Sequence, residues 1–103
     1  VAMPDLGRVG GIQEAKNICI LADAYGIPVS PHNYSSGVLL AATIQLMAST
    51  RNTFLLEMDT SDNSIINELF VEPIGFKDGS VIVPNHPGLG LELKPETVEK
   101  YAL

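Results

Sequence analysis

The chain has 103 residues, of which 46% are hydrophobic and 17% are charged, and its formal net charge is −6. This composition excludes a disordered chain, which combines low hydrophobicity with high charge density, and no apolar run approaches the roughly 18 residues of a membrane-spanning helix. The acidic balance argues against a nucleic-acid partner, which is bound by clustered Lys and Arg. The single cysteine excludes an internal disulfide framework and fits a reducing compartment, so we expect a cytoplasmic protein with neither nucleic acid nor membrane as a partner.

The first half of the sequence alternates short apolar segments with helical patterns. Residues 1–5 have the character of a strand end, and three glycines within residues 7–11 predict a tight loop. From Ile12 the apolar residues recur with a helical period, and Gly26 and Pro28 end this predicted helix. A second strand, a second and mostly apolar helix, and a third strand are predicted at 27–30, 38–49 and 53–56. This order predicts parallel strands joined by right-handed crossovers, with the second helix buried against more than one neighbour.

The second half is predicted to be an antiparallel appendage. Residues 58–67 are polar and loop-like, and Asp78-Gly79 between β-branched runs is a strong hairpin signal. A short strand at 91–93 and a terminal helix or turn at 95–101 follow. We therefore predict an α/β fold in two parts, a βαβαβ unit at residues 1–67 and a hairpin and tail at residues 68–103.

Three polar residues stand just after the three apolar strands. Asp5, His32 and Glu57 are separated by 27 and 25 residues, about the length of one βα unit of a parallel barrel. Equivalent positions on neighbouring strands lie about 4.8 Å apart. We therefore expect the three side chains to meet at the carboxyl ends of the strands, where α/β proteins place their sites.

These residue types suit acid–base chemistry. An Asp beside a His fixes the imidazole tautomer and prepares the other ring nitrogen to take or give a proton. The Glu could act as a general acid or, if kept protonated, as a hydrogen-bond donor. The structural alternative is a capping Asp, a hydrogen-bonded structural His and a surface carboxylate.

Two other kinds of site can be considered. The Asp5 and His32 pair could be completed to a triad by Ser30, Ser35 or Ser36, but the sequence has no Gly-x-Ser-x-Gly nucleophile elbow. The loop at residues 7–11 could offer backbone N–H groups to an anion at the start of the first helix, or it could be a plain tight turn. Cys19 is predicted to lie on the core face of that helix.

Three motifs resemble those of the mandelate racemase / muconate lactonizing enzyme family in the enolase superfamily. They are Met3-Pro4-Asp5-Leu6-Gly7-Arg8-Val9-Gly10-Gly11, Ile27-Pro28-Val29-Ser30-Pro31-His32-Asn33 and Phe54-Leu55-Leu56-Glu57. The segments 77–84 and 87–93 also resemble the part of these enzymes that returns to their capping domain. The whole chain is thus similar to the C-terminal part of the mandelate racemase subgroup, which contains racemases and acid-sugar dehydratases.

The resemblance implies strands six, seven and eight of a modified (β/α) TIM barrel, followed by an antiparallel hairpin segment. Asp5 and His32 match the subgroup's catalytic dyad, and Glu57 matches the acidic residue that hydrogen-bonds the substrate carboxylate, so His32 and Glu57 would also bind substrate. Such enzymes remove the α-proton of a carboxylate substrate, and a magnesium ion (Mg²⁺) stabilises the enediolate intermediate. The intermediate is then reprotonated, or it loses a β-hydroxyl group.

The resemblance also implies that the metal ligands and a lysine base come from earlier strands, so no metal ligand is expected in this chain. We expect a fragment of a Mg²⁺-dependent sugar-acid dehydratase that is inactive when isolated. A racemase or epimerase of a 2-hydroxy acid and a non-catalytic small α/β binding protein are the alternatives. The expected partners are a small carboxylate or sugar-acid substrate, the rest of the barrel with its capping domain, and further copies of the full-length enzyme.

Overall fold

The computed structural model describes residues 1–102, apart from the side chains at positions 64 and 67. Its helices are α1 (Ile12–Ala24), α2 (Gly37–Ala48), α3 (Ser64–Glu68) and α4 (Pro95–Tyr101). An antiparallel pair of strands, β1 (Phe76–Lys77) and β2 (Ser80–Val81), completes the named elements. Within residues 1–102, no helix is long and apolar enough to cross a membrane.

Helix α1 follows the predicted pattern. Ala15, Cys19 and Ala22 are buried on one face, as the helical period predicts, whereas Ile12 in the first turn is 46% exposed. The helix ends at Ala24, and Gly26 has a φ of 65°, a left-handed conformation that glycine adopts without the strain imposed by a Cβ atom.

Helix α2 is the centre of the molecule. It begins at Gly37, one residue before the predicted start, because the Ser36 hydroxyl accepts a hydrogen bond from the Leu39 N–H at 3.2 Å and caps the helix. Eight of its residues are buried: Gly37, Leu39, Leu40, Ala41, Ala42, Thr43, Ile44 and Leu46. One face packs in a cluster with α1, and Ala41 packs with Leu69 and Phe70 from the second half of the chain. The prediction that this helix is buried against more than one neighbour is confirmed.

The three apolar segments run parallel, but their pairing is shorter than predicted. Val29 lies in the middle and forms parallel bridges with Ala2 on one side and Thr53 on the other. Continuing these pairings would need backbone N–H groups at positions 4 and 31, and both residues are prolines, which have no N–H. The predicted strands are therefore extended segments held by isolated bridges.

The second half contains one element that the sequence interpretation missed. Helix α3 lies in the polar segment predicted as a loop, and it crosses the boundary predicted at residue 67. The division into residues 1–67 and 68–103 stays a prediction. The predicted hairpin is present as β1 and β2, and its turn residues Asp78 and Gly79 both have positive φ, as a type I′ turn requires. The predicted strand at 91–93 is one antiparallel bridge between Leu93 and Phe70.

The chain after β2 is attached to α2 by the Gln45 side chain as well as by apolar contacts. The Gln45 amide donates hydrogen bonds to the carbonyl oxygens of Pro84 and Leu89, at 3.0 and 3.1 Å. Leu89 and Leu91 pack against the cluster of Ala41, Leu69 and Phe70. The tail thus covers the side of α2 that α1 leaves open.

Candidate active site

Asp5 and His32 occupy matching positions on neighbouring segments. They are 27 residues apart, which is also the offset between the bridged residues Ala2 and Val29. The His32 N–H donates to the Pro4 carbonyl oxygen at 3.2 Å and continues this register to the strand ends. As a result, the His32 Nδ1 atom lies 2.9 Å from Asp5 Oδ2.

Asp5 is a buried carboxylate held by several donors. It is 8% exposed; Oδ1 accepts the Gly7 N–H at 2.8 Å, and Oδ2 lies 3.3 Å from Arg8 Nε. Burial raises the pKa of Asp5, but the hydrogen bond with His32, the Gly7 N–H and the nearby positive charges together lower this pKa below its ordinary value. Asp5 is therefore ionised at neutral pH.

The ionised Asp5 determines which His32 nitrogen is available for chemistry. A carboxylate only accepts hydrogen bonds, so Nδ1 of His32 carries the proton and donates it to Asp5. In the neutral ring, Nε2 is then the nitrogen with a free lone pair. The His32 side chain is 38% exposed and lines an open cavity of about 330 Å³ with Met3, Asp5 and Arg8. The residue that carries this proton acceptor thus lines a space where a substrate could bind.

Glu57 lies on the other side of the imidazole. Its Oε2 atom is 4.0 Å from His32 Nε2, which is longer than a hydrogen bond. The same oxygen accepts the Asn33 backbone N–H at 2.5 Å, and the Asn33 side-chain amide donates to the Glu57 carbonyl oxygen at 3.1 Å. The structure therefore brings Asp5, His32 and Glu57 together, with Asn33 as a fourth member.

Asn33 was not among the residues that the sequence analysis selected for this site. The spacing of 25 residues suggested that Glu57 lies opposite His32, but Val29 and Thr53 pair with an offset of 24. That offset places Glu57 opposite Asn33, one residue further along. The signal that could have identified Asn33 is this register, which cannot be read from the sequence without the paired segments.

Several groups that the other candidate sites would need already have partners of their own. The Ser30 hydroxyl donates to the Leu55 carbonyl oxygen at 2.6 Å, and the Ser36 hydroxyl caps α2, so neither hydroxyl is held by His32. In the glycine loop, the N–H groups of Gly7 and Gly11 are bonded to Asp5 and Leu6 within the loop itself, so they are not offered to an anion.

The predicted core position of Cys19 is confirmed. The residue is 1% exposed, and burial raises the pKa of its thiol. A buried thiol that resists ionisation is not available as a nucleophile. Cys19 is therefore a core residue of α1.

Comparison with known proteins decides the family. Residues 1–97 match the protein-family model described as "Enolase C-terminal domain-like". The chain belongs to this family. It is 38% identical over 101 residues to D-xylonate dehydratase of Haloferax volcanii, covering 98% of this chain and 24% of that protein. It is 30% identical over 111 residues to D-galactarolactone cycloisomerase of Agrobacterium fabrum, covering 100% of this chain and 29% of that protein.

Solved structures of this enolase-like family have the same fold. An enolase superfamily member from a Polaromonas species has a TM-score of 0.87 and 36% identity, over 98% of this chain and 27% of that one. A mandelate racemase/muconate lactonizing enzyme from a Sulfitobacter species has a TM-score of 0.85 and 36% identity, over 96% and 24%. The resemblance stated from the three motifs and the α/β fold class are confirmed, and the chain spans about a quarter of the length of these relatives.

The described residues do not form a metal site of their own. Across residues 1–102, no group of three or more His, Cys, Asp or Glu side chains could hold a metal ion. The oxygens of Asp5 accept hydrogen bonds from Gly7 and His32, and Oε2 of Glu57 accepts one from Asn33. These side chains alone therefore do not supply a magnesium site, and the resemblance places the ligands of that ion on earlier strands.

Proposed function

We propose that this chain is the C-terminal part of a sugar-acid dehydratase in the mandelate racemase subgroup. In this proposal, residues 1–67 supply strands six to eight of a TIM barrel and residues 68–103 return toward a capping domain. The observation that carries the proposal is the contact of His32 Nδ1 with Asp5 Oδ2 at 2.9 Å, with Glu57 on the other side of the ring. Relatives that are 38% and 29% identical are a D-xylonate dehydratase and an arabinonate dehydratase.

In the proposed reaction, His32 exchanges a proton with the substrate through Nε2. Dehydration removes the α-proton of the acid, breaks the bond between the β-carbon and its hydroxyl oxygen, and releases that hydroxyl as water after it gains a proton. His32 can take the α-proton as the base or deliver the proton to the departing hydroxyl as the acid. In either direction the imidazolium form is stabilised by the ionised Asp5 carboxylate beside Nδ1.

Glu57 is proposed to bind the substrate carboxylate. Its side chain is 32% exposed and lies next to the His32 side chain, which is 38% exposed. The 4.0 Å separation between Glu57 Oε2 and His32 Nε2 leaves Nε2 without a hydrogen bond to that oxygen. Both groups can therefore contact one substrate, His32 at the reacting carbon and Glu57 at the carboxylate.

The remainder of the enzyme is proposed to cover the outer segments of the parallel array. Val29 in the middle is fully buried, whereas Met3 on one outer segment and Phe54 on the other are 52% and 64% exposed. Apolar residues at both edges favour a larger barrel over a stand-alone binding protein. Magnesium and the lysine base would then be supplied by strands outside this chain, and the isolated 103 residues would be inactive.

Two further features are part of the proposal. The full-length enzyme is proposed to be a homo-oligomer, because Ile20 and Leu21 of α1 and Tyr25 directly after it are exposed apolar side chains. The cytoplasm is the proposed location, because the single cysteine is free and is not needed in a disulfide bond.

The second candidate is an isomerase of the same subgroup, such as a racemase or epimerase of a 2-hydroxy acid. It is favoured by the D-galactarolactone cycloisomerase that is 30% identical to this chain. Proton removal and return at one carbon would use the same His32 and Asp5 pair, without loss of a hydroxyl group.

A substrate screen separates these candidates. The full-length enzyme would be incubated with magnesium and a panel of sugar acids that includes D-xylonate, and the products would be weighed by mass spectrometry. We expect a product that has lost one water. A product of unchanged mass and altered configuration would favour the isomerase, and the absence of any product across the panel would contradict both proposals.

A further inference from the structure

Asn33 holds Glu57 at two points. The Asn33 side chain is almost completely buried, with the residue 3% exposed. Its backbone N–H donates to Glu57 Oε2 at 2.5 Å, and its side-chain Nδ2 donates to the Glu57 carbonyl oxygen at 3.1 Å. One residue thus fixes both the carboxylate and the main chain of Glu57.

These two bonds replace the regular pairing of the segments. The register of Val29 and Thr53 would direct the N–H of residue 33 to the carbonyl oxygen of residue 56. In the structure this N–H donates a hydrogen bond to the Glu57 carboxylate, and the Asn33 side-chain amide donates one to the Glu57 carbonyl oxygen. Beyond the single bridge of Val29 and Thr53, a side-chain clamp therefore holds the two segments at this position in place of regular pairing.

We propose that Asn33 is a positioning residue that presents Oε1 of Glu57 to the substrate carboxylate. This inference rests on the proposed function of Glu57 in substrate binding. A backbone N–H can only donate, so Oε2 acts as the acceptor, and Oε1 is the oxygen that can contact the substrate. The clamp also keeps Oε2 at 4.0 Å from His32 Nε2, so that His32 remains available to the reacting carbon.

Steady-state kinetics of the full-length enzyme with D-xylonate test this role. Asn33→Ala should lower kcat/KM about tenfold, mainly through a higher KM, because the main chain of Glu57 loses its side-chain partner. Asn52→Ala is the matched control, because Asn52 Nδ2 also donates to backbone carbonyl oxygens, those of Cys19 and Ile27. Asn52 is five residues before Glu57 along an extended segment, about 16 Å away. Its replacement should leave kcat and KM unchanged.

A double-mutant cycle shows whether Asn33 acts through Glu57. In a Glu57→Ala background, Asn33→Ala should have no further effect on kcat/KM, because the carboxylate that it positions is gone. The same tenfold loss in both backgrounds would mean that Asn33 acts independently of Glu57, and it would overturn the inference.

Amide hydrogen exchange tests the clamp without requiring turnover. In the full-length protein, the peptide containing residue 33 should exchange slowly, and Glu57→Ala or the isosteric Asn33→Asp should accelerate its exchange about tenfold. Unchanged exchange in both variants would overturn the clamp. If the unsubstituted enzyme converts no sugar acid, the proposed function fails and the exchange measurement still decides the clamp.

Discussion

Asp5→Asn in the full-length enzyme is the substitution that most directly tests the role of the buried carboxylate. Asparagine has nearly the same shape, and its Oδ1 can still accept the Gly7 N–H. Its amide group, however, places a donor against His32 Nδ1, which donates to Asp5 in the unsubstituted protein. The imidazole must then carry its proton on Nε2 in order to accept the new donor. That tautomer cannot take a proton from the substrate at Nε2.

The expected loss can be estimated from the contacts of Asp5. Because the residue is only 8% exposed, its charge-assisted hydrogen bond to His32 is worth about 3 kcal/mol once the imidazolium forms. At 1.36 kcal/mol for each factor of ten, this corresponds to a decrease in kcat of about 100-fold. The change of tautomer adds to this loss, and about 10⁴-fold is the scale seen for the same substitution in serine-protease triads. We therefore expect kcat to fall by between about 10² and 10⁴.

The assay is the rate of D-xylonate dehydration, with Asp23→Asn as the matched control. Asp23 is ion-paired with Arg51 at 2.6 Å, but this pair is on the surface near the end of α1. An exposed pair contributes about 0–1 kcal/mol to stability, so the control should have a normal kcat. A folded Asp5→Asn enzyme with kcat within about threefold of the unsubstituted enzyme would show that catalysis does not depend on the Asp5 carboxylate.

The same substitution should alter the acid stability of the enzyme. Because the folded-state pKa of Asp5 is lowered, the stability that it contributes is fully present above its unfolded-state value of about 3.9. This contribution is lost as the pH falls from there through the lowered folded-state pKa. Denaturant unfolding should therefore show less pH dependence below about pH 4 in Asp5→Asn than in the unsubstituted protein. An identical pH dependence would contradict the observed donors to Asp5.

Three further substitutions and the isolated chain give independent tests. Glu57→Ala should raise KM for D-xylonate about tenfold or more with a smaller change in kcat, because a hydrogen bond to a charged group is worth about 1.5–3 kcal/mol; an unchanged KM would remove Glu57 from substrate binding. Gly90→Ala should destabilise the full-length protein by about 3 kcal/mol in denaturant unfolding. Residue 90 has a left-handed backbone conformation, and its new Cβ would lie 2.6 Å from the Pro84 Cβ atom. Gly88→Ala, with nothing within 4 Å of the new Cβ, should cost only about 1 kcal/mol, and equal costs would contradict this packing. The isolated 103 residues should aggregate or lack near-ultraviolet circular dichroism, and a monomer that unfolds cooperatively would show that the outer segments need no cover.

The helices of the first half were predictable because their signals are local. The apolar period of α1 and the glycine after it, Gly26 with a φ of 65°, can each be recognised from a few consecutive residues. Helix α2 begins at Gly37 because Ser36 caps it, and a serine before an apolar run is also visible in the sequence. Helix α3 was missed because it has only five residues in a polar segment, and its helical period is too short to recognise.

The length of each strand was harder to predict than the order of the strands. Apolar content indicated three parallel segments, but the extent of pairing depends on which backbone N–H groups face a partner. Pro4 and Pro31 occupy positions where the register needs such a group, and that register is known only when the segments are paired. The sequence therefore predicts the topology, and the structure supplies the length of each pairing.

The candidate site, too, could be predicted only in part. The spacing of Asp5 and His32 matches the register of their segments, so their contact could be expected from the chain alone. Glu57 is one residue out of register with His32, and the difference brings Asn33 against its carboxylate. Because of this one-residue difference in register, the contact between Asn33 and Glu57 could not be predicted from the sequence.

Two histidine variants test the proposed proton transfer by His32 in the dehydration of a sugar acid. The full-length enzyme, its His32→Asn variant and its His86→Asn variant would each be mixed with D-xylonate and magnesium, and the product lacking one water would be quantified by mass spectrometry. His86 is exposed in the tail and serves as the matched control. We predict that the unsubstituted enzyme and His86→Asn dehydrate at similar rates, whereas His32→Asn is slower by about 10²–10⁴-fold. Dehydration by His32→Asn at the unsubstituted rate would contradict the proposed proton transfer.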